Sequence, residues 1–210
     1  MRGAIREMTL FAMPGGCFES LEYQDRGTLG IIAIDKETTR KVALTAMHII
    51  TGVNEYPSDL HPYPIEFQAG CSAEQPPLLG RLMKGTRQGV DAAMIALDEG
   101  VEYSNYSTVL GRIDRWRAAS TLVTGQTVRM AGAASGGLSL GTIVNPAVPA
   151  PQFGLDSAIL VEMRAIGGDS GAPLVDLNGV LVGLLVGGNS SRQLFNPIDA
   201  VFDTLGCELY

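Results

Sequence analysis

Gly167-Gly168-Asp169-Ser170-Gly171-Ala172-Pro173, followed by the apolar pair Leu174-Val175, is the stretch on which the reading of this chain turns. A serine hydroxyl is a weak nucleophile until a neighbouring base takes its proton. It also needs backbone N–H donors aimed at the oxyanion that forms on the attacked carbonyl. Glycines beside a serine let the backbone turn tightly enough to present such donors, because they have no Cβ to clash. The N–H groups of Gly168 and Ser170 are the candidates for that oxyanion hole. An ordinary glycine-rich turn with an incidental serine has the same composition, so the remainder of the chain has to decide.

Two further stretches bear on the choice. Leu44-Thr45-Ala46-Met47-His48-Ile49 ends an apolar strand with a histidine, a rigid place from which to project a base. Val90-Asp91-Ala92-Ala93-Met94-Ile95-Ala96-Leu97 opens an apolar run with a single carboxylate. A carboxylate at the edge of a core needs a partner, and a histidine that must hold one tautomer is a suitable one. Taken singly, His48 also reads as a partly buried hydrogen-bonding histidine and Asp91 as a strand-starting turn residue. The only other histidine, His61, stands in Asp59-Leu60-His61-Pro62, which reads as an exposed loop.

Composition narrows the classes. The chain has 210 residues with 15 Lys+Arg against 22 Asp+Glu, a formal charge of −7. That acidity, with a pI near 4.8, argues against nucleic acid and anionic membrane as partners. Hydrophobic residues make up 46% and charged residues 18%, which favours a folded core over disorder. The apolar runs are far shorter than a membrane span needs. The three cysteines, Cys17, Cys71 and Cys207, are scattered and odd in number. They read as a poor disulfide framework suited to a reducing compartment, and without Cys-x-x-Cys a structural zinc is not expected. The apolar stretch from Met8 to Met13 is too short for a signal-peptide core, and Pro14-Gly15-Gly16-Cys17 departs from a lipoprotein cleavage box at Pro14. The expectation is a cytoplasmic protein.

Short β-like runs punctuated by Gly, Pro, Asn and Ser dominate the chain. They are Thr28–Ile34, Lys41–Thr45, Ala92–Leu97, Gln126–Ala131, Leu140–Val144, Ala158–Met163, Ala172–Val175 and Val180–Val186. Many short strands and few helical periods predict an all-β fold built as barrels or sandwiches. The proline-rich stretch Tyr56 to Pro77 reads as surface loop, and the glycine-rich Gly132 to Gly137 as a loop between strands. A helix is predicted at the C-terminus, with Asn196 as cap, Pro197 in the first helical position and Gly206 as stop. Its apolar face is Ile198, Val201, Phe202 and Leu205, which should dock on the body of the protein. The polar segment Gly111 to Ser120 is the expected domain boundary.

His48, Asp91 and Ser170 follow one another at intervals of 43 and 79 residues. In that order and with those neighbours, the sequence resembles the chymotrypsin/trypsin superfamily of serine proteases. That family reads Leu-Thr-Ala-Ala-His around its base, Asp-ϕ-Ala before an apolar strand, and Gly-Asp-Ser-Gly-Gly-Pro around its nucleophile. Gly27-Thr28-Leu29-Gly30, Gly125-Gln126-Thr127-Val128, Gly141-Thr142-Ile143-Val144 and Pro197-Ile198-Asp199-Ala200-Val201 resemble the bacterial subgroup related to the plant narrow-leaf trypsin-like proteins. An α/β-hydrolase is excluded by chain order, because both histidines precede Ser170.

The resemblance implies two Greek-key six-stranded β-barrels with a C-terminal helix. Residues 1–26 would form an N-terminal extension, 27–115 a barrel carrying His48 and Asp91, and 116–210 a barrel carrying Ser170. It implies a trypsin-like serine endopeptidase acting on peptide or protein substrates through a Ser-His-Asp triad, with Gly168 and Ser170 as oxyanion hole and no cofactor. Substrate would be held by Arg164, Val186, Gly187 and Gly188. Arg164, six residues before Ser170, would give the pocket a basic floor that favours an acidic side chain; its other reading is a solvent-facing residue or a partner for Asp169. Two departures stand out. Ile49 and Ile166 replace cysteines of the family, and no processed amino terminus is available to pair with Asp169, which needs another partner. A non-catalytic or partner-gated binding module and an esterase are the alternative readings of the same residues, and a regulatory protein partner or a homo-oligomer stays open.

Overall fold

Antiparallel pairing of short apolar runs builds the protein twice over. The computed structural model describes residues 11–21, 25–51, 66–69 and 78–210. The first unit is an eight-stranded sheet. At its centre Ile31–Asp35 pairs with Lys41–Thr45, Lys41–Thr45 with Ala92–Leu97, and Ala92–Leu97 with Leu78–Thr86. Glu66–Ala69 follows Leu78–Thr86, and Cys17–Ser20 bridges from it to Arg26–Thr28. The second unit is a closed barrel of six strands: Thr127–Gly132, Gly137–Ala150, Leu155–Glu162, Arg192–Pro197, Leu181–Gly188 and Pro173–Asp176. Closure removes the exposed strand edges that invite aggregation.

The double-barrel architecture expected from sequence is present, with three differences. The first sheet holds eight strands rather than six. Cys17–Ser20, placed by sequence in an N-terminal extension, is a strand of that sheet. The second half of the chain does not stay in its own unit. Cys207–Leu209 returns to pair with Ile31–Asp35, in the register Cys207↔Asp35 and Leu209↔Ala33.

Each unit has its own core, and a third core lies between them. Phe18, Ile32, Phe67 and Ile95 fill the first unit, and Val128, Met130, Ile159 and Phe195 fill the second. Ile31, Leu44 and Met94 meet Val175, Leu181 and Leu184 between the units, and the C-terminal helix packs into the same cluster. That helix, Ile198–Leu205, buries Ile198, Val201, Phe202 and Leu205. At eight residues it is too short to persist alone in water. Burial of four large apolar side chains, each worth about 1.5–3 kcal/mol, holds it in place. Gly206 ends it in a left-handed conformation (φ 73°). The cap differs from the sequence expectation: Pro197 occupies the cap position, without a side-chain hydrogen bond, and the Asn196 side chain is engaged elsewhere.

Cys17 is disulfide-bonded, whereas Cys207 is free and buried. The expectation of a chain without disulfides is therefore corrected, and cysteine usage no longer argues for a reducing compartment. His61 and Cys71 lie outside the described residues, as does most of the proline-rich stretch. Among the described residues no helix is long and apolar enough to cross a membrane.

Burial pushes the Cys207 thiol up to about 12, so almost no thiolate exists near neutrality, and only the thiolate is nucleophilic. Cys207 should resist iodoacetamide at pH 8 in the folded protein and alkylate fully in guanidinium chloride, as read by intact-mass spectrometry.

Candidate active site

Strand register brings the histidine and the carboxylate together. The antiparallel partners Thr45↔Ala93 and Leu44↔Met94 place the end of Lys41–Thr45 beside the start of Ala92–Leu97. His48 lies three residues beyond the first strand, at the head of the short helix His48–Thr51, and Asp91 immediately precedes the second. His48 Nδ1 stands 2.7 Å from Asp91 Oδ2, and the His48 backbone N–H donates to Asp91 Oδ1 at 2.9 Å. Both carboxylate oxygens thus hold one residue, one through its ring and one through its backbone. The contact at Nδ1 makes that nitrogen the donor and leaves Nε2 as the free acceptor of a neutral ring. The Asp91 side chain is 1% exposed and that of His48 19%, so the pair is shielded on the carboxylate side and open on the other.

Sequence reasoning missed Asn196. It is fully buried in the second barrel, yet its Oδ1 accepts from the Asp91 N–H at 3.0 Å and its Nδ2 donates to the Asp91 carbonyl at 2.7 Å. The side chain read from sequence as a helix cap fixes the Asp91 backbone across the boundary between units. No local pattern could have revealed it, since 105 residues separate the partners.

Ser170 sits in the loop before Pro173–Asp176. Its carbonyl accepts from the Thr28 N–H at 2.9 Å. A Cβ on Gly171 would collide with Thr45 Oγ1 and the Thr28 carbonyl oxygen, and its φ is +89°. Glycine is therefore required there for the serine loop to approach the strand that leads to His48. Ser170 Oγ donates to the Val186 carbonyl at 3.3 Å; among the described residues no hydrogen bond joins it to His48.

The N–H groups of Gly168 and Ser170 find no acceptor among the described residues, while their neighbours are tied down. The Asp169 N–H donates to Ile166 O at 3.1 Å and the Gly171 N–H to Leu185 O at 2.7 Å. Asp169 is fully buried, and among the described residues no arginine pairs with it. Its Oδ1 accepts from the N–H groups of Ala134 (3.1 Å) and Ser135 (2.8 Å), and its Oδ2 from that of Ile166 (3.0 Å). Three backbone donors can stabilise a buried carboxylate in place of a cation. The Gly132–Gly137 loop, read only as a connection, supplies two of them.

Thr28 joins these parts. Besides the bond to Ser170, its Oγ1 donates to Gly168 O at 2.8 Å and accepts from the Ala133 N–H at 3.0 Å. Its carbonyl accepts from Thr45 Oγ1 at 2.9 Å.

A cavity of about 380 Å³ opens beside Ser170, lined by Ile166, Leu185, Gly187, Gly188, Ser190 and Gln193 among others. Gly187 and Gly188 line this cavity, and Val186 presents its carbonyl to Ser170. Arg164 is a correction. It is exposed and absent from the lining, because the residues that follow it, Ala165 to Gly167, form that wall. No basic side chain is found among the described residues that line the cavity, and the exposure of Arg164 fits its solvent-facing alternative.

No protein-family model matches the chain, and no curated protein does either. Solved structures do. Thermobifida fusca protease A is 18% identical with a TM-score of 0.70, over 95% of this chain and 98% of that one. Cellulomonas bogoriensis chymotrypsin is 19% identical with a TM-score of 0.68, over 96% and 99%. A glutamic-acid-specific serine protease is 17% identical with a TM-score of 0.71, over 95% and 100%. The fold is that of the chymotrypsin-like serine proteases.

Thr28→Val keeps the shape of Thr28 but leaves the Gly168 carbonyl and the Ala133 N–H without their hydroxyl partner. Urea unfolding should show a loss of about 1–3 kcal/mol, the cost of buried polar groups left unpaired, and Thr28→Ser should recover most of it.

Proposed function

We propose that the protein is a serine endopeptidase in which Ser170 is the nucleophile, His48 the general base and Asp91 the group that orients the base. The observation that carries this reading is the two-oxygen grip of Asp91 on His48, which turns the acceptor nitrogen Nε2 away from the carboxylate. A buried histidine serving only to satisfy the core would have no use for an exposed acceptor beside a serine loop.

The chemistry runs as follows. On this reading Ser170 Oγ leaves the Val186 carbonyl and gives its hydrogen bond to His48 Nε2 instead. Nε2 takes the hydroxyl proton as Oγ attacks the peptide carbonyl, and Asp91 stabilises the imidazolium that results. The carbonyl oxygen becomes an oxyanion and accepts from the free N–H groups of Gly168 and Ser170, each worth about 3 kcal/mol in the transition state. His48 then donates its proton to the leaving amine as the C–N bond breaks. Water, deprotonated by the same nitrogen, attacks the acyl-enzyme ester and releases Ser170. The residues present supply every proton transfer in this sequence.

The Asp169 nest supports a further point. Its carboxylate is satisfied by backbone groups of the same chain, so the oxyanion loop is held without a liberated amino terminus. Activation by clipping is not needed to shape it. The cytoplasmic and trypsin-like attributes expected from sequence gain no support from the geometry: Cys17 is disulfide-bonded, and no carboxylate among the described residues lines the cavity to receive a basic side chain. An esterase would use the same triad.

A fluorophosphonate probe tests the reading. The native protein should label stoichiometrically and Ser170→Ala not at all; an unreactive native chain favours a binding module instead. Asp91→Asn should lower kcat for a peptide substrate by roughly 10⁴-fold, the effect of holding the imidazole in the wrong tautomer, with a much smaller change in KM.

A further inference from the structure

Among the described residues that line the cavity beside Ser170 there is no charged side chain. Ala165, Ile166, Leu185 and the two glycines offer apolar or backbone surface, and the polar side chains are Ser170, Asn189, Ser190 and Gln193. Gln193 is the buried one, 3% exposed. Its Nε2 donates to the carbonyls of Asn189 and Met163, the latter at 3.5 Å. Two carbonyl acceptors around one terminal atom identify that atom as the nitrogen and commit both of its hydrogens. Oε1 is left as the free end of the carboxamide, and no donor among the described residues reaches it. A Cβ on Gly188 would lie 2.8 Å from this oxygen, and both Gly188 and Gln193 line the cavity.

On the protease reading above, we propose that Gln193 makes the enzyme select an uncharged carboxamide side chain, glutamine or asparagine, immediately before the bond to be cut. Each competing side chain fails for a stated reason. A lysine or arginine would lose hydration without meeting a counter-charge. A glutamate or aspartate would set a carboxylate against the Oε1 acceptor, with Arg164 outside the cavity. A leucine or phenylalanine would suit the walls but leave Oε1 unpaired, and a site with a buried hydrogen-bonding group discriminates strongly against ligands that cannot use it. A carboxamide donates to Oε1 through its NH₂ and carries no charge. Gly187 and Gly188 keep the entrance wide enough for it.

Fluorogenic peptides that differ only at this position (Gln, Asn, Glu, Lys or Leu) test the proposal. Gln and Asn should exceed Glu and Lys in kcat/KM by tenfold or more, and Gln193→Leu should erase the preference of Gln over Leu while still labelling with fluorophosphonate. A native enzyme that labels but cleaves best after Glu, Lys or Leu overturns the proposal, as does a Gln193→Leu variant with an unchanged profile. The pocket is also read without turnover. Ser170→Ala is titrated with tripeptides ending in Gln, Glu or Lys, followed by NMR shifts at Gly187, Gly188 and Ser190. Tightest binding of the Gln peptide supports the assignment and equal binding of all three overturns it. A native chain that fails to label sinks the protease reading, and this titration still decides what Gln193 recognises.

Discussion

One buried threonine holds the two halves of the site in register. Thr28 uses its N–H, its carbonyl and its hydroxyl on four different partners: Ser170, Thr45, Gly168 and Ala133. Two of these lie on the serine loop, one on the loop that holds Asp169, and one on the strand that runs toward His48. The hydroxyl both gives and receives, so its proton is assigned by its surroundings. An alanine or valine in this place would keep the two backbone bonds and lose both that the hydroxyl makes. Buried groups with every bond made rigidify a structure more than their modest net stabilisation suggests. The accuracy of the site follows from this threonine more than from any single apolar contact.

The two halves are prepared to different degrees. His48 and Asp91 are closed on each other by two bonds, and Asn196 reaches from the second barrel to hold the Asp91 backbone. The loop that carries the Gly168 and Ser170 N–H groups is fixed by the three backbone bonds to Asp169. The Ser170 hydroxyl is turned toward the Val186 carbonyl. On the proposed reading it is the one polar group of the site that has to change partner.

How far sequence carried the argument follows from what each residue contacts. The strands Lys41–Thr45 and Ala92–Leu97 were legible to the residue, since apolar runs bounded by turn residues announce themselves locally. His48, Asp91 and Ser170 were legible as candidates because each sits in a distinctive local setting. Asn196, Thr28 and Gln193 were not. Their side chains act across the boundary between units or around a hairpin, and polar residues of that kind look the same in sequence whether they cap a helix, face water or bind a backbone 105 residues away. Arg164 misled for the opposite reason. Its distance from Ser170 matched a pattern, but the chain turns there so that its backbone neighbours, rather than its guanidinium, meet the cavity. The cysteines show the same limit of counting: an odd total concealed a bonded Cys17.

The path of the chain after the second barrel has a consequence for assembly. Cys207–Leu209 fills an edge of the sheet that holds His48 and Asp91, although nearly all of that sheet comes earlier in the polypeptide. During synthesis the first unit therefore waits, one edge unfilled, until the whole of the second has left the ribosome. His48 and Asp91 thus belong to a sheet that is completed only when the last strand of the chain arrives.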